Sequence, residues 1–480
     1  MKRDRHVIIL AAGQGTRMGC QRPKVLHKLA GRPLIERVLE SSVAINPITT
    51  TVVVGHESER VQNALGRDTG LRFTEQTAQL GTAHALQQAR TFFDSIQGSL
   101  IVLSGDVPLI RRSTLTTLVE KHEATGAAAT VLTATLSRPF GYGRVVRSNG
   151  KIIGIVEEAD ATEAQRRINE VNSGIYVFDI PPLFKALEQI PRAGPKHERY
   201  LPTLVPLYLR QGLRVATVNT KTPDEIRGIN SQTELAEVSS IVRKSKNEEL
   251  MAAGVTIEDP LTTYIDDDVT VGPDTIIRPG VRLEGRTTVG QRCDLESWVH
   301  VVDSTIEDDC KIRNCCVITE SHLASGSSAG PFAHLRPGST LEQGARVGNF
   351  VETKRSSLGR NSKANHLSYL GDATIGDRVN VGAGTITCNY DGVTKKQTVI
   401  ADGVFIGSGT QLVAPVKLGQ DSYIAAGSCI TDDVPSGALG IARSHQQNKK
   451  DWVEKKRKSS LWWPDAQVGA MPPPPSPRLY

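Results

Sequence analysis

The sequence contains few cysteines and no paired cysteine motif. Its seven cysteines are an odd number, and none of them belongs to a C-x-x-C pair. A disulfide framework needs paired cysteines, and a zinc site typically shows close cysteine spacing, so both are disfavoured. The pattern favours reduced thiols and a cytoplasmic location.

Long hydrophobic runs are also missing. The apolar stretch at residues 7–12 is too short for the core of a secretory signal, and no segment reaches the length of a membrane span. We therefore expect neither a cleaved leader nor a membrane-spanning helix.

A strong charge of either sign is absent as well. The net charge is +6, and much of the excess lies in the basic stretch 449–458. This mild charge fits anionic small molecules as ligands as well as it fits nucleic acid. With 480 residues, of which 39% are hydrophobic and 22% charged, the chain has the composition of a globular protein with more than one core.

Residues 1–230 alternate short β-rich runs with amphipathic segments. The runs at 7–10, 51–54 and 100–103 predict strands, and those at 33–40 and 82–90 predict helices. This alternation predicts a Rossmann-like α/β domain with a mostly parallel sheet. Ligands of such sheets bind beyond the carboxyl ends of the strands, where the loop 13–17 and Asp106 are expected.

A single helix is predicted for the linker at residues 231–253. Ser231 and Glu234 form a capping-box pattern at its start, and Gly254 is suited to end it.

The third segment, residues 254–445, shows apolar residues at every sixth position. They are Val271, Ile277, Leu283, Val289, Leu295, Val301, Ile306, Ile312, Ile318, Ile375, Val381, Ile406, Leu412, Leu418, Ile424 and Ile430. A six-residue period predicts an all-β, left-handed parallel β-helix of hexapeptide repeats, with these residues pointing inward. The interruptions at 332–336 and 390–397 are predicted to be loops that leave the coil. The tail 446–480 is basic, then rich in Trp (Trp462, Trp463) and Pro (472–475), and we expect its end to be disordered.

The loop after the first predicted strand reads Leu-Ala-Ala-Gly-Gln-Gly-Thr-Arg-Met from residue 10. It lacks the Gly-Lys-Ser/Thr of a P-loop and the third glycine of the dinucleotide fingerprint. Small residues let backbone N–H groups approach phosphates, and Arg17 and Lys24 add two cations that suit phosphoryl transfer. The alternative is a plain strand-to-helix turn with solvated basic side chains.

Two further residues are candidates for chemistry. Asp106 follows the strand at 100–103 and suits Mg²⁺, although an Asp before a Pro-containing loop also forms turns. His366 lies in a polar, Tyr-bearing segment predicted to be a loop, and an imidazole is a suitable base for deprotonating an amine. The alternative for His366 is a purely structural histidine.

These motifs carry a resemblance to a known family. The loop sequence, the Pro-Lys-Val-Leu-His that begins at Pro23 and the hexapeptide region closely resemble, over residues 5–445, the bifunctional N-acetylglucosamine-1-phosphate uridyltransferase/glucosamine-1-phosphate acetyltransferase (GlmU) family. The resemblance implies acetyl-CoA-dependent acetylation of glucosamine-1-phosphate, followed by Mg²⁺-dependent uridylyl transfer from UTP to N-acetylglucosamine-1-phosphate. It also implies a cytoplasmic homotrimer that supplies peptidoglycan and lipopolysaccharide synthesis, without nucleic-acid partners.

The resemblance also implies site residues. For UTP and UDP-N-acetylglucosamine they are Leu10, Ala11, Ala12, Gly13, Lys24, Gln76, Gly81, Thr82, Asp106, Gly141, Glu157, Asn172 and Asn230, with Arg17 and Lys24 catalytic and Asp106 and Asn230 holding Mg²⁺. Within this set Gln76, Gly81 and Thr82 contact uracil, and Gly141, Glu157 and Asn172 contact the sugar. For acetyl transfer they are His366 as general base, then Arg336, Lys354, Tyr369 and Asn380 for glucosamine-1-phosphate, and Asn389, Tyr390, Ser408, Ala426 and Arg443 for acetyl-CoA. Cys20, Ser104 and Asn365 depart from the residues usual in the family.

Two alternatives remain at this stage. One is a single-activity sugar-1-phosphate nucleotidyltransferase whose β-helix serves assembly or regulation. The other is an assembly protein with an inactive first domain. The polar set around His366 favours the bifunctional reading over the first, and the intact Arg17, Lys24, Asp106 and Asn230 favour it over the second.

Overall fold

The computed structural model describes residues 3–55, 57–66, 70–192 and 197–459, and its first unit is a mostly parallel sheet. In spatial order the main strands are Val215–Asn219, Ala129–Thr135, Glu170–Asp179, Ser99–Ser104, Arg5–Ala11, Thr49–Val54 and Arg72–Glu75. The neighbours are parallel except at Glu170–Asp179, which is antiparallel to the strand on either side. A hairpin of Arg144–Ser148 and Lys151–Val156 pairs with that strand, and Lys28–Leu29 pairs with Arg32–Pro33. The predicted α/β fold is confirmed.

Helices cover this sheet on both faces. They are Leu34–Ser42, Ser58–Leu65, Thr82–Gln87, Arg112–Thr125, Glu163–Arg166, Ile180–Glu188 and Leu204–Arg210. The predicted helix 82–90 is shorter than expected, because it ends at Gln87 and a separate 3-10 turn, Arg90–Phe92, follows. The central strands Arg5–Ala11 and Ser99–Ser104 are mostly apolar because both of their faces are buried, whereas the edge strand Arg72–Glu75 is partly exposed and polar.

Alternation along the first strand divides its side chains between two cores. Ile8 packs into one cluster of buried residues, and Val7 and Ile9 pack into the other on the opposite face of the sheet. Successive side chains of a strand point to opposite faces, so one short apolar strand serves both layers. The polar segments that follow Ala11 and Ser104 are left at the carboxyl edge.

The linker helix Gln232–Ala252 joins the two units. Ser231 and Glu234 form the predicted capping box, and Gly254, at φ 95°, follows the end of the helix. Asn247 is fully buried on this helix, and its Nδ2 donates to the carbonyls of Pro260 (2.9 Å) and Thr263 (3.2 Å) in the first coil of the next unit.

Ion pairs add a second connection between the units. Arg37 of the first unit pairs with Asp267, and Arg32 pairs with Asp268 (Nε to Oδ2 3.0 Å). Asp267 is partly buried, so water screens its pair with Arg37 less than it screens an exposed pair.

The second unit is a left-handed parallel β-helix with three flat faces. Face A consists of Thr256–Ile257, Ile276–Ile277, Asp294–Leu295, Lys311–Ile312, Ser328–Ala329, Arg346–Asn349, Lys363–His366, Asn380–Val381, Phe405–Ile406, Tyr423–Ile424 and Leu439–Gly440. Face B consists of Tyr264–Ile265, Arg282–Glu284, His300–Val302, Val317–Thr319, His334–Leu335, Glu352–Lys354, Tyr369–Gly371, Ile386–Cys388, Gln411–Val413 and Cys429–Ile430. Face C consists of Thr270–Val271, Thr288–Val289, Thr305–Ile306, His322–Leu323, Thr340–Leu341, Ser357–Leu358, Ala373–Ile375, Thr398–Ile400 and Val416–Leu418.

The hexapeptide prediction holds in the core of this coil. All of the apolar residues predicted to point inward are buried in one continuous cluster, apart from Val271, which is partly buried against it. The loop at 390–397 leaves the coil as predicted. The prediction of a loop at 332–336 is wrong, because His334–Leu335 is a regular strand of face B and Leu335 is fully buried.

The tail begins with a short exposed helix, Trp452–Ser459, which carries part of the basic stretch. The predicted Trp-rich and Pro-rich segments, with Trp462 and Trp463, lie outside the described residues. Among the described helices, none combines the length and the apolar character needed to cross a bilayer.

Asn247→Ala is expected to destabilise the junction between the units. The substitution leaves the carbonyls of Pro260 and Thr263 without their buried donor, which typically costs about 1–3 kcal/mol. Urea denaturation of the full chain measures the loss in the free energy of unfolding. The exposed neighbour Lys244→Ala is the matched control and should change it by less than about 0.5 kcal/mol; equal effects of the two changes would contradict the assignment.

Candidate active sites

A tight loop places Lys24 at the carboxyl edge of the sheet. The loop after Ala11 turns through Gly15, whose φ is 62°, into the 3-10 turn Thr16–Met18. A Cβ at Gly15 would lie 2.9 Å from the Cβ of Lys24. Glycine is therefore needed at this position both for the left-handed backbone and for the close approach of Lys24.

Lys24 connects two of the residues expected to hold a metal ion. Its Nζ donates to Asp106 Oδ2 at 2.5 Å and to Asn230 Oδ1 at 3.0 Å. Asp106 follows the strand Ser99–Ser104, and Asn230 precedes the linker helix, where its backbone N–H donates to Glu234 Oε2 (2.6 Å). The two oxygens thus converge on one cationic position, and an oxygen pair of this kind fits Mg²⁺ when substrate phosphates supply further ligands.

Lys24 and Asp106 border a cavity of about 480 Å³ at the strand ends. The expected site residues that line it are Leu10, Ala12, Gly13, Lys24, Gln76, Gly81, Thr82, Asp106, Gly141, Glu157 and Asn172. Three expected residues do not line it. Ala11 is buried at the end of its strand, Asn230 lies behind Lys24, and Arg17 is exposed and makes no ion pair within the described part of the chain.

Other cavity residues were not expected as site residues. Gln79, Tyr142, Tyr176 and Tyr200 also line the cavity, and Gln79 Nε2 donates to the carbonyl of Ala12 at 2.9 Å. The only sequence signal for Gln79 was its position close before Gly81 and Thr82, which were expected to contact uracil. No local sequence pattern identified the three tyrosines, because only the folded sheet brings them to the cavity.

One end of the cavity carries a buried carboxylate and an amide. Burial raises the pKa of Glu157, and the nearby Asp160 acts in the same direction. Asn172 Nδ2 donates to Tyr176 Oη at 2.7 Å, and Asn172 Oδ1 accepts from the Gly174 N–H at 3.2 Å. Fixed polar groups on a partly apolar wall are suited to the hydroxyl and amide groups of a sugar.

The acetyl-transfer candidates divide between two corners of the β-helix. His366 ends a strand of face A, so the expected loop at this position is instead the corner between faces A and B. Its side chain is exposed and lines a cleft of about 560 Å³ together with Arg313, Arg346 and Asn349.

The expected acetyl-CoA residues Ser408 and Ala426 share the corner of His366. Backbone bonds link the coils along this corner, where the Gly384 N–H donates to the His366 carbonyl at 3.3 Å and the Gly427 N–H donates to the Ser408 carbonyl at 2.8 Å. Arg443 Nη1 donates to the Ala426 carbonyl at 2.7 Å. His366, Ser408, Ala426 and Arg443 therefore form one column along the coil. Asn380 lies on the adjoining face A.

The expected sugar-phosphate residues Arg336 and Lys354 lie at the corner between faces B and C. The positive charges of Arg336, Lys395 and Arg355 lower the pKa of Lys354. A phosphate or other anion bound between these cations would reduce their mutual repulsion.

Asn389 and Tyr390 also belong to this second corner. Asn389 Nδ2 donates to Asp372 Oδ2 at 2.5 Å, and Tyr390 Oη donates to the Gly392 carbonyl at 2.6 Å.

Tyr369 begins the face B strand that separates the corners. Three strand residues span about 10 Å, so a single chain keeps His366 apart from Arg336 and Lys354.

Glu157→Gln is expected to stabilise the first unit at neutral pH. The folded pKa of Glu157 is raised, so the ionised side chain favours the unfolded chain at pH values above that pKa. The advantage of the Gln variant should be full there and should vanish as the pH falls below the ordinary Glu value. Thermal unfolding of both proteins between pH 8 and pH 4 measures the difference. The exposed control Glu59→Gln should not be more stable than the wild type at pH 8, and a Glu157→Gln variant that is no more stable than the wild type at pH 7 would contradict the interpretation.

Comparison with known proteins agrees with this two-part architecture. The family model of the MobA-like NTP transferase domain matches residues 7–172, and the bacterial transferase hexapeptide model, with six repeats, matches residues 397–432. Three relatives are each named "Bifunctional protein GlmU". The protein from Trichlorobacter lovleyi is 47% identical over 94% of this chain and 98% of its own length. Those from Koribacter versatilis and Shouchella clausii are each 45% identical over 94% of this chain, and over 97% and 99% of their own lengths. On this similarity the chain belongs to the GlmU family of bifunctional proteins, with a nucleotidyltransferase unit followed by a hexapeptide-repeat acyltransferase unit.

Proposed function

We propose that this chain makes UDP-N-acetylglucosamine in two steps, at two separate sites. The β-helix acetylates glucosamine-1-phosphate with acetyl-CoA, and the first unit then transfers a uridylyl group from UTP to the product. The observation that carries the first-unit site is the convergence of Lys24, Asp106 and Asn230 at the edge of a nucleotide-sized cavity. The single-activity alternative is not favoured, because relatives that span this chain are named as bifunctional proteins.

Uridylyl transfer depends on charge neutralisation and alignment. A phosphate oxygen of N-acetylglucosamine-1-phosphate attacks the α-phosphorus of UTP, and the bond to the leaving pyrophosphate breaks. Asp106 and Asn230 would hold Mg²⁺, which supplies positive charge to the phosphates when it is bound. Lys24 and the exposed Arg17 would neutralise the negative charge of the triphosphate.

The two ends of the cavity hold the two substrates. Gln76, Gly81 and Thr82 contact the uracil, while Gly141, Glu157 and Asn172 contact the sugar. The raised pKa of Glu157 supports this assignment, since a carboxylate that is costly to bury gains from hydroxyl donors. Alignment of the two reactants, rather than a protein nucleophile, provides much of the acceleration.

Acetyl transfer uses His366 as a general base. The imidazole takes a proton from the amine of glucosamine-1-phosphate, the nitrogen attacks the thioester carbonyl, and CoA leaves as a thiolate that is then protonated. Arg336 and Lys354 bind the sugar phosphate, with Tyr369 and Asn380 beside the sugar. Asn389 and Tyr390 belong to the acetyl-CoA site with Ser408, Ala426 and Arg443.

Assembly into a homotrimer would complete the acetyltransferase sites. An apolar stripe of exposed side chains runs along the corner between faces A and B, namely Trp298, Phe332, Phe350 and Leu367. Phe332 and Phe350 stack with their ring centroids 5.3 Å apart. A contiguous exposed apolar patch is typical of an interface. Covering it with a second copy places a neighbour's sugar-phosphate corner beside His366, which a single chain does not achieve.

This enzyme would operate in the cytoplasm and would supply the activated amino sugar for peptidoglycan and lipopolysaccharide synthesis. Both acetyl-CoA and UTP are cytoplasmic metabolites, which agrees with the reduced cysteines expected from the sequence. Two alternatives remain for the basic stretch 449–458: its side chains bind the CoA phosphates, or they are only hydrated by solvent.

An assay with two readouts tests the proposal. Purified protein is incubated with glucosamine-1-phosphate, acetyl-CoA, UTP and Mg²⁺, and free CoA thiol and pyrophosphate are followed separately. His366→Ala should abolish thiol release. When N-acetylglucosamine-1-phosphate is supplied, the same variant should keep pyrophosphate release, and Asp106→Ala should show the reverse pattern. Loss of general-base catalysis alone is worth about 10²–10⁴-fold. A wild-type protein that releases pyrophosphate but no thiol would restore the single-activity alternative.

The trimer prediction has its own test. Phe332→Glu combined with Phe350→Glu should give a monomer, because two carboxylates cannot be buried unpaired in an apolar interface. Light scattering after size exclusion measures the mass, and thiol release should fall at least about tenfold while pyrophosphate release persists. Ile48→Glu is the control, since Ile48 is exposed in the first unit, away from this corner. A double variant that stays trimeric, or a monomer with full thiol release, would refute the shared-site assignment.

A further inference from the structure

The loop at residues 138–143 borders the cavity of the first unit at the end that carries Glu157 and Asn172. The Gly143 carbonyl accepts from the Asn172 N–H at 2.9 Å, and a Cβ built on Gly143 would lie 3.4 Å from Glu157 Oε1. The backbone of this loop therefore contacts both of the side chains that we assign to the sugar, and a shift of the loop would displace them.

Packing does little to fix the tip of this loop. Phe140 is 84% exposed, and within the described residues only the chain neighbours of Gly141 come within 4 Å of a Cβ built on it. Gly141 also has a φ of 84°, outside the regions that most residues prefer. The tip must therefore be held mainly by polar contacts of its backbone.

A buried arginine lies directly after the loop. Arg144 is 2% exposed, and its Nη2 lies 2.7 Å from Glu158 Oε2. Its Nη1 donates to the carbonyl of Tyr142, and its Nε donates to the carbonyl of Arg166 at 3.4 Å. A guanidinium stays charged when it is buried, so it needs these acceptors, and the loss of its carboxylate partner would be costly.

The carboxylate of Glu158 connects this buried cation to the tip of the loop. Besides Arg144 Nη2, its Oε2 accepts from the Gly141 N–H at 3.1 Å. Hydrogen bonds to an ionised group are stronger than those between neutral groups, so this contact can hold a backbone that packing leaves open. Glu158 also follows Glu157 in the chain, and the same pair therefore restrains the segment that carries the sugar carboxylate.

We propose that Arg144 and Glu158 are positioning residues that fix the loop 138–143 and thereby set the affinity of the first unit for the sugar phosphate. Neither side chain lines the cavity, so both act through Gly141, Gly143 and Glu157 rather than by touching the substrate. The inference rests on the proposed uridylyltransferase function and on the assignment of this end of the cavity to the sugar.

The experiment measures pyrophosphate release by the full-length protein with N-acetylglucosamine-1-phosphate, UTP and Mg²⁺. KM is determined separately for the sugar phosphate and for UTP, together with kcat. Glu158→Ala removes the acceptor shared by Arg144 and Gly141. Glu158→Gln keeps its size and one acceptor oxygen, and it replaces the Ala variant if that variant does not fold. The matched control is Arg147→Ala, which breaks the more exposed pair of Arg147 with Glu170 on the same hairpin.

We expect Glu158→Ala to raise KM for N-acetylglucosamine-1-phosphate about tenfold, since a charged hydrogen bond that positions the loop is lost. Glu158→Gln should recover part of this affinity, with a rise of about threefold, because a neutral acceptor remains. KM for UTP and kcat should stay within about twofold of the wild type, and Arg147→Ala should leave both KM values within the same limit.

The comparison of the two substrates separates positioning from a merely structural role. Equal rises in KM for UTP and for the sugar phosphate, or no rise in any Glu158 variant that folds, would overturn the inference. A wild-type protein that releases no pyrophosphate from these substrates would instead overturn the proposed uridylyl transfer itself.

Discussion

The second unit depends on one constraint, which is that no coil of the β-helix is stable alone. Most of its strands contain only two or three residues, and their backbone partners lie in the coils before and after. A strand this short forms only when a neighbour supplies both the hydrogen bonds and the apolar contact. The inward residue of each hexapeptide provides that contact, which is why Leu335 and Leu412 are fully buried.

This stacking also determines how a site is built. Glu352 pairs with Tyr369, and Lys354 pairs with Gly371, so residues 17 positions apart become neighbours about 4.8 Å apart. Residues at equivalent positions of successive coils therefore form columns, as His366, Ser408 and Ala426 do. In the first unit the parallel strands have the same effect by another route, because their carboxyl ends bring Lys24, Asp106 and Gln76 to one edge.

Much of this organisation could be predicted from the sequence, because it follows from short periods. The six-residue spacing gave the coil, and the capping box gave the start of the linker helix. The false loop at 332–336 arose where the six-residue phase slips, since the inward Leu323 follows Ile318 after five residues and the next inward residue is the small Ala329. The fold predicted from these periods is confirmed, whereas the functions of the site residues implied by the resemblance remain predictions.

The remainder depends on three-dimensional proximity that no local pattern encodes. Arg17 belongs to the quoted loop but does not line the cavity, and its side chain is exposed on the 3-10 turn. Gln79 reaches the cavity wall only because the fold brings it to the carbonyl of Ala12. The distance between His366 and Lys354 is set by the width of face B, which depends on how the chain turns at each corner.

The apolar stripe has a further consequence for the backbone. Trp298, Phe332, Phe350 and Leu367 all adopt positive φ values, between 48° and 63°, in a region that large side chains rarely occupy. Each of these corners holds conformational strain of about 1–2 kcal/mol that a glycine would release. A glycine would also remove the ring or branched chain that a neighbouring copy would cover in the proposed trimer. Glycine at these positions would therefore lower the backbone strain of a single chain but weaken the contact between copies. A chain that associates through this corner keeps a more strained backbone there than a chain that remains single would need.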